Sequence, residues 1–405
     1  MADVSGDGAL RIGDAVMGEP TTSDEAAPSR KIAYFVHDLS DSAVRRRVRM
    51  LIAGGAAVTP IGFRRRAVPV SDIDGTTAID LGRTDDGKLA RRIICVSRAL
   101  MRVSRLAKAL SGTQVILARN LEMLTIAAQV RKRHAPQARL IYECLDVHRL
   151  LLSPRLSGAL LRGLESRLWR GVDLLLTSSP AFIENYFNPR HFPAKARIVE
   201  NKVLLLKGGD LPKGRNRRVA GPPWRVGWFG MIRCRRSLEI LGELARQSHG
   251  AVEVVLRGRP SASVFPDFEA EIANYPQLSF GGPYRNPEDL SAVYHDVHFV
   301  WTLDYYEEGQ NSAWLLPNRI YEGTLHGAVP LALRGVETSR WLTRHGIGVE
   351  IDEPVRGGLI DFFRRLDQHD YAELADRLHA VPRRDLIVDR SDCRELVDTL
   401  CGDQD

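Results

Sequence analysis

The sequence lacks several patterns that identify common protein classes. Its five cysteines are scattered and include no CxxC pair, which argues against a disulfide framework and a structural zinc site and fits a reducing cytoplasm. Neither a P-loop nor a GxGxxG fingerprint is present. The longest uncharged run, LIAGGAAVTPIGF, is too short to span a bilayer and contains glycine and proline. We therefore expect a cytoplasmic protein that is soluble or at most peripheral to a membrane.

Other missing sequence patterns limit the classes of partner that the protein could bind. Residues 1–30 have neither the basic start nor the apolar core of a secretory signal, and their acidic, small and polar composition predicts a disordered tail. No zinc-finger, RRM or KH signature and no basic groove with interleaved aromatic residues is visible, which argues against nucleic acid. No Asp-x-Asp pair follows a predicted strand, so we predict no metal site.

What is present predicts two domains. The chain has 405 residues, of which 44% are hydrophobic, and a net charge of +7 that favours an anionic partner. Strand and helix patterns alternate over residues 31–205 and again over 223–380. A stretch rich in glycine, proline and charge, 206–222, separates them as a linker, and 381–405 is predicted to end the chain as a helix. This pattern is typical of two doubly wound α/β domains facing across a cleft.

The segment PNRIYEGTLHGAVPLAL, residues 317–333, predicts a short helix, a glycine stop and a strand. The N-terminus of the helix would face the cleft. There the carboxylate of Glu322 could accept hydrogen bonds from two vicinal hydroxyls, as a ribose presents them. The alternative is a surface ion pair of Arg319 with Glu322, which spacing alone favours.

Two further segments follow predicted strands. WRVGWFG ends in Gly230 and leads into a basic turn with Arg233 and Arg236, where a glycine and arginine forks suit a diphosphate. YECLDVHRLL carries Asp146 and His148 just past a strand end, a position for a general base. The alternatives are a solvated basic turn for the first segment and ordinary polar surface for the second.

The helix DSAVRRRVRM has a strongly basic face. Its arginines could meet anionic lipid headgroups, or they are simply solvated. The four residues are Arg45, Arg46, Arg47 and Arg49.

Taken in order, these segments resemble the two-domain sugar-nucleotide glycosyltransferases of the GT-B fold, near glycosyltransferase family 4. PNRIYEGTLHGAVPLAL looks like the donor motif of that family, VGWFGMIRCRRSLEIL like its diphosphate turn and YECLDVHRLL like its Asp-x-His segment. The opening KIAYFVHDLSDSAVRRRVRML looks most like the ExoL-type transferases of bacterial succinoglycan assembly. The resemblance covers most of residues 31 to 350.

The resemblance implies roles for these residues. Glu322 would bind the donor ribose, and Arg233 and Arg236 would neutralise the diphosphate. Gly230 would let the donor approach the backbone. Asn318 and Arg319 would lie near the donor phosphates or sugar. His148, with Asp146, would face the acceptor hydroxyl, and no cofactor or metal would be needed.

The sequence departs from the family pattern in three places. Trp314 stands where an upstream sugar-side glutamate is usual, and Glu307 or Glu308 is a candidate substitute. An arginine replaces the usual lysine of the basic turn. HDLSDSA replaces the N-terminal glycine-rich loop, which puts the handling of the acceptor in doubt.

The implied function is transfer of a hexose from a UDP- or GDP-linked donor to a growing, lipid-linked saccharide at the inner membrane face, in cell-surface polysaccharide biosynthesis. Two alternatives stay open. One is a non-catalytic saccharide- or polyanion-binding protein on a degenerate GT-B fold, motivated by Trp314. The other is a GT-B-fold epimerase that acts on the nucleotide sugar. The sequence does not distinguish inverting from retaining chemistry.

Overall fold

A computed structural model describes residues 30–84, 89–206 and 219–402. The predicted tail lies outside the described residues except for Arg30, which begins the first strand. Most of the predicted linker lies outside them as well. The described part contains two large parallel sheets, one in each half of the chain, and two small sheets of two strands each.

The first half alternates strands and helices as predicted. Its strands are β1 (Arg30–Val36), β2 (Ala56–Arg64), β3 (Asp72–Ile73), β4 (Thr76–Thr77), β5 (Ile79–Arg83), β6 (Val115–Arg119), β7 (Arg139–Cys144), β8 (Leu174–Thr177), β9 (Lys195–Ile198) and β10 (Val203–Leu204). Its helices are α1 (Ser42–Ala53), α2 (Leu89–Met101), α3 (Asn120–His134), α4 (Arg149–Leu152), α5 (Leu156–Trp169) and α6 (Pro180–Phe182).

Seven of the described strands form the first sheet, in the order β5-β2-β1-β6-β7-β8-β9, and all neighbours are parallel. The stretch around residues 70–84 contains the β3–β4 hairpin and the edge strand β5. One apolar cluster covers the sheet on the side of α2, α3 and α5, and another covers it on the side of α1. The helices therefore lie on both faces, as in a doubly wound domain.

The second half repeats this plan. Its strands are β11 (Trp224–Ile232), β12 (Val252–Pro260), β13 (Leu278–Phe280), β14 (Phe299–Trp301), β15 (Val329–Leu333), β16 (Val349–Ile351) and β17 (Ile387–Val388). Its helices are α7 (Arg235–Gln247), α8 (Phe268–Ile272), α9 (Leu290–His295), α10 (Asn318–His326), α11 (Glu337–His345), α12 (Val355–Arg365), α13 (Gln368–Ala380) and α14 (Arg390–Cys401). In the described part, the parallel sheet has the order β13-β12-β11-β14-β15-β16.

The end of the chain returns to the first half. Strand β17 pairs with β10, and α14 packs against α1. The contact is close because α1 ends at Gly54, where an added Cβ would lie 2.2 Å from the carbonyl oxygen of Cys393. Arg139 donates from Nη1 to the carbonyl oxygen of Thr399 at 3.1 Å. The segment 381–405, predicted as a helix, contains β17 before α14 (Arg390–Cys401). The contacts of both elements join the two halves.

Candidate functional site

A pocket lies between the two halves, at the carboxyl ends of both sheets. Its volume is about 200 Å³, below the range of about 300–1,000 Å³ usual for ligand pockets, so it can enclose only part of a nucleotide sugar. It is lined by Leu145, Asp146, Arg233, Tyr306, Glu307, Asn311, Ser312 and Leu315. Predicted residues from both halves therefore meet here.

The wall from the first half is the segment that follows β7. The Asn311 amide donates to the Asp146 carboxylate and to the carbonyl oxygen of Val147, the latter at 2.6 Å. This contact fixes the loop after β14 against the first half. Desolvation by the surrounding cleft raises the pKa of the Asp146 carboxyl, although the nearby Arg233 guanidinium opposes the shift. A raised pKa makes this carboxylate a stronger base.

His148 has a different environment. It is the N-cap of α4, and its Nδ1 accepts a hydrogen bond from the backbone N–H of Leu150 at 3.3 Å. This hydrogen bond engages the Nδ1 lone pair of the ring. His148 is exposed and does not line the pocket. Of the two predicted acceptor-side residues, Asp146 is the one in position.

The wall from the second half begins at the end of β11. Gly230 has φ +102° and open space where a side chain would stand, so the backbone is accessible there. The Arg233 guanidinium lies 4.4 Å from the ring centroid of Tyr306. Among the residues that the structure describes, no carboxylate forms an ion pair with Arg233 within 4.0 Å. Arg233 can therefore meet an anion in the pocket.

Arg236 is already engaged. Its guanidinium pairs with the carboxylates of Glu308 and Glu353, the latter at 2.9 Å, and lies over the ring of Tyr305. Two carboxylates more than balance its charge. A role for Arg236 toward the diphosphate would require these pairs to open, so the geometry favours Arg233.

Glu322 lies on α10, which begins after Pro317 and ends at Gly327 with φ +83°, as predicted. The side chain is buried, with 5% exposure. Its Oε1 accepts from Asn286 Nδ2 at 2.9 Å and its Oε2 from the Tyr294 hydroxyl at 2.7 Å. Burial raises the pKa of Glu322, and these two hydrogen bonds oppose the shift.

The alternative of a surface pair with Arg319 is wrong. Arg319 instead donates from Nη1 to the carbonyl oxygen of Phe229 at 3.3 Å, and no ion pair joins it to Glu322 among the described residues. Burying a carboxylate with neutral partners carries a free-energy penalty. This favours a function for Glu322 over a surface role. Asn318, at the first position of α10, is exposed.

Trp314 does not belong to the donor side. Its ring packs edge-on against Phe182 of the first half, with 6.1 Å between centroids. Of the two substitutes, Glu308 is bound to Arg236 while Glu307 lines the pocket. Burial, and then the charge of Asp146, raise the pKa of Glu307. Glu307 is therefore, with Asp146, one of the two carboxylates that line this pocket.

The basic face of α1 differs from the prediction. Arg47 is 2% exposed and its Nε donates to Glu143 at 2.7 Å, so it cannot touch a membrane. Arg47 lies on the same face of the helix as Val44, Val48 and Leu51, which are also buried. The expectation was wrong for Arg47 because a charged residue at a core-facing position was assigned to the solvent.

The other three arginines of α1 also have protein partners. Arg46 donates to the carbonyl oxygen of Lys202. Arg45 and Arg49 both pair with Asp74, the latter at 2.7 Å. Asp74 offsets part of the charge of Arg45 and Arg49, and a backbone carbonyl holds Arg46. Helix α1 is therefore a weak candidate for lipid contact.

Sequence reasoning missed the residues that hold the site together. Asn286, Tyr294 and Asn311 were not identified, because each lies in a loop or short helix far along the chain from its partner. Asn311 and Asp146 are separated by 165 residues, and no local pattern encodes that contact.

Within the described ranges, no group of three or more His, Cys, Asp or Glu residues is arranged to hold a metal ion. No helix there has the length and apolar character needed to cross a bilayer.

No family model matches the chain. The succinoglycan biosynthesis protein ExoL of Rhizobium meliloti (strain 1021) is 45% identical to it over 379 residues, which cover 91% of this chain and 93% of ExoL. The expected resemblance to ExoL-type proteins is confirmed.

Many solved structures share the fold, and two of them illustrate the likeness. Sucrose-phosphate synthase from Thermosynechococcus elongatus has a TM-score of 0.63 and 14% identity, covering 92% of this chain and 94% of that one. HepE of Anabaena, solved in complex with UDP-glucose, has a TM-score of 0.63 and 14% identity, covering 92% and 99%. At such identities the likeness concerns the fold alone, and it confirms the predicted GT-B architecture.

Proposed function

Since the chain belongs to the family of the succinoglycan biosynthesis protein ExoL and has the GT-B fold, we propose that it is a glycosyltransferase. It transfers a hexose from a nucleotide-sugar donor to a growing, lipid-linked saccharide in exopolysaccharide biosynthesis. The reaction takes place at the inner face of the plasma membrane. The observation that carries this proposal is the pocket in which Asp146 of the first half and Arg233 of the second half line one space.

The donor lies along the second half. Glu322 accepts hydrogen bonds from the ribose hydroxyls, and Gly230 allows the diphosphate to approach the backbone. Arg233 neutralises the negative charge that develops on the leaving diphosphate during transfer. Asn318 and Arg319, at the start of α10, are the next residues along this path. We propose UDP as the nucleotide, supported by the structure of HepE with UDP-glucose.

The acceptor enters from the first half. Its hydroxyl oxygen attacks the anomeric carbon, the bond from that carbon to the diphosphate oxygen breaks, and Asp146 takes the hydroxyl proton. The bonding electrons leave with the diphosphate, next to Arg233. Glu307 is placed to hold a sugar hydroxyl. In this scheme no metal ion takes part, so activity should survive a chelator.

Asp146→Asn should lower the rate of transfer by about 10²–10⁴-fold, the usual contribution of a general base. Affinity for UDP should not change, because Asp146 lies on the acceptor side. In the wild type, the rate should fall as pH falls through the pKa of Asp146, which lies above the ordinary 3.8, since only the ionised carboxylate accepts a proton. His148→Gln is the control and should retain most of the activity. Wild-type turnover by Asp146→Asn would contradict the assignment.

The structure weakens the motive for the binding-protein alternative. Trp314 was its basis, and its ring has a packing role against Phe182, while Glu307 stands in the pocket. Product analysis with radiolabelled UDP-hexoses and bacterial membranes tests the proposal. Label in lipid-linked saccharide supports transfer. An altered free donor would indicate an epimerase, and binding without turnover would indicate a binding protein.

A further inference from the structure

We propose that α4 and α5, with α2 beside them, form a docking surface for an anionic lipid bilayer on the first half of the protein. This surface replaces α1 as the site of membrane contact. One consequence of this inference rests on the proposed function: the lipid-linked acceptor would reach the cleft from this side.

The first observation is a stripe of exposed leucines on α5. Leu156, Leu160 and Leu164 are 84%, 76% and 41% exposed, and their spacing of four residues places them on one helical face. The opposite face is buried through Gly158, Glu165 and Trp169. A helix that packs on the core needs only one apolar stripe. The second stripe has no role in the fold that the structure describes, and such surfaces are typical of interaction sites.

The second observation is the charge around this stripe. Between residues 147 and 172 the sequence contains one acidic residue, Glu165, and it is buried and paired with Arg190 at 2.6 Å. The surface charge of the segment is therefore positive. The exposed basic residues are Arg149, Arg155, Arg167 and Arg170. In an anionic bilayer, the leucines would enter the apolar interior and the flanking arginines would contact the headgroups.

The third observation is that α2 has the same character. Ile94 and Met101 are 50% and 76% exposed, and the sequence has no acidic residue between Asp86 and Glu122. Among the side chains that the structure describes in this region, the exposed basic ones are Arg98, Arg102, Arg105 and Lys108. Both α2 and α5 pack against α3, so they cover the same face of the first sheet. The two exposed apolar regions therefore belong to one side of the molecule.

The position of α4 connects this surface to the site. Helix α4 starts at Arg149, three residues after Asp146, and its N-cap is His148. A bilayer held against α4 and α5 would lie beside the acceptor side of the pocket. An acceptor anchored in that bilayer by its lipid could then reach Asp146 without leaving the membrane.

Flotation of the purified full chain with vesicles tests the proposal. The wild type should bind vesicles of phosphatidylcholine mixed with phosphatidylglycerol more tightly than phosphatidylcholine alone. Leu156→Ser/Leu160→Ser should weaken binding at least about tenfold, because two apolar side chains no longer enter the bilayer. Arg155→Gln/Arg167→Gln should weaken binding to the anionic vesicles selectively. Ile52→Ser, an exposed position on α1 across the sheet, is the matched control and should bind like the wild type.

Three results would overturn the proposal. The first is unchanged vesicle binding by the leucine variant, and the second is no vesicle binding by the wild type. The third is a wild-type dimer in the absence of vesicles that the leucine substitutions dissociate, since the stripe would then join two copies of the chain. Thermal shift with UDP, measured on every variant, separates this inference from the proposed function. A protein that binds vesicles without responding to UDP would retain the surface and lose the donor site.

Discussion

Glu322→Ala should weaken the binding of UDP by about 100-fold or more and reduce sugar transfer at least as strongly. A hydrogen bond to a charged acceptor contributes about 1.5–3 kcal/mol, and a ribose would make two with this carboxylate. Since about 1.4 kcal/mol corresponds to tenfold in affinity, the loss of both gives the stated effect. Titration calorimetry with UDP measures it directly.

The existing partners of Glu322 are compatible with this role. A carboxylate has about four lone-pair sites, and the structure uses one on each oxygen, for Asn286 and Tyr294. The remaining sites could accept from the two hydroxyls of a ribose once the donor displaces the groups that leave this side chain 5% exposed, and the internal donors would stay in place. The side chain is thus oriented in advance, which reduces the entropy lost on binding.

A control is needed because alanine also leaves the Tyr294 hydroxyl and the Asn286 amide without their acceptor. Tyr294→Phe removes one internal hydrogen bond and keeps the carboxylate. It should lower the melting temperature modestly and retain most of the affinity for UDP. If folded Glu322→Ala binds UDP as the wild type does, the donor assignment is wrong.

The fold was predictable because its signals are local. Apolar runs such as IAYFV and WRVGWFG mark buried parallel strands, and β1 and β11 occupy them. Glycines mark helix ends, and Gly327 ends α10 with the expected positive φ. Short edge elements were harder, because β5 has a partly exposed pattern that resembles a loop.

The candidate site was less predictable because its contacts are distant in sequence. The carboxyl-end rule for parallel sheets located Asp146 and Arg233 on the proper edges. It could not show that Arg236 pairs with Glu308 and Glu353, since ion pairs depend on tertiary distances. The burial of Arg47, in contrast, could have been predicted from the sequence. The helical period places Arg47 on the same face of α1 as Val44, Val48 and Leu51.

Glu143→Gln should destabilise the first half by about 3–5 kcal/mol, the usual effect of removing one partner from a buried ion pair. Glu143 is 0% exposed. It accepts from Arg47 and Arg119, each at 2.7 Å, and from the Tyr34 hydroxyl at 2.6 Å. Without the carboxylate, two buried guanidinium groups would lack a counter-charge. The melting temperature of the first half should fall by about 6–20 °C, as expected for a domain of this size.

The same cluster predicts how stability depends on pH. Burial alone would raise the pKa of Glu143, but Arg119 and Arg47 outweigh it and lower the pKa from 4.5 to about 2. The folded state therefore binds this proton more weakly than the unfolded state. The stabilisation is complete above pH 4.5 and is lost as pH falls toward 2. Denaturant titrations of the wild type across this range should show the loss, and Glu143→Gln should lack this component.

A matched exposed pair distinguishes burial from charge pairing as the cause. Glu395 pairs with Arg197 at the surface, where their side chains are 50% and 32% exposed. Glu395→Gln should cost at most about 1 kcal/mol, because solvent screens such pairs. Similar losses for the two variants would show that burial adds nothing to the pair. A much larger loss for Glu143→Gln would establish that burial makes the pairs of this carboxylate with Arg47 and Arg119 far more important for stability than an exposed pair.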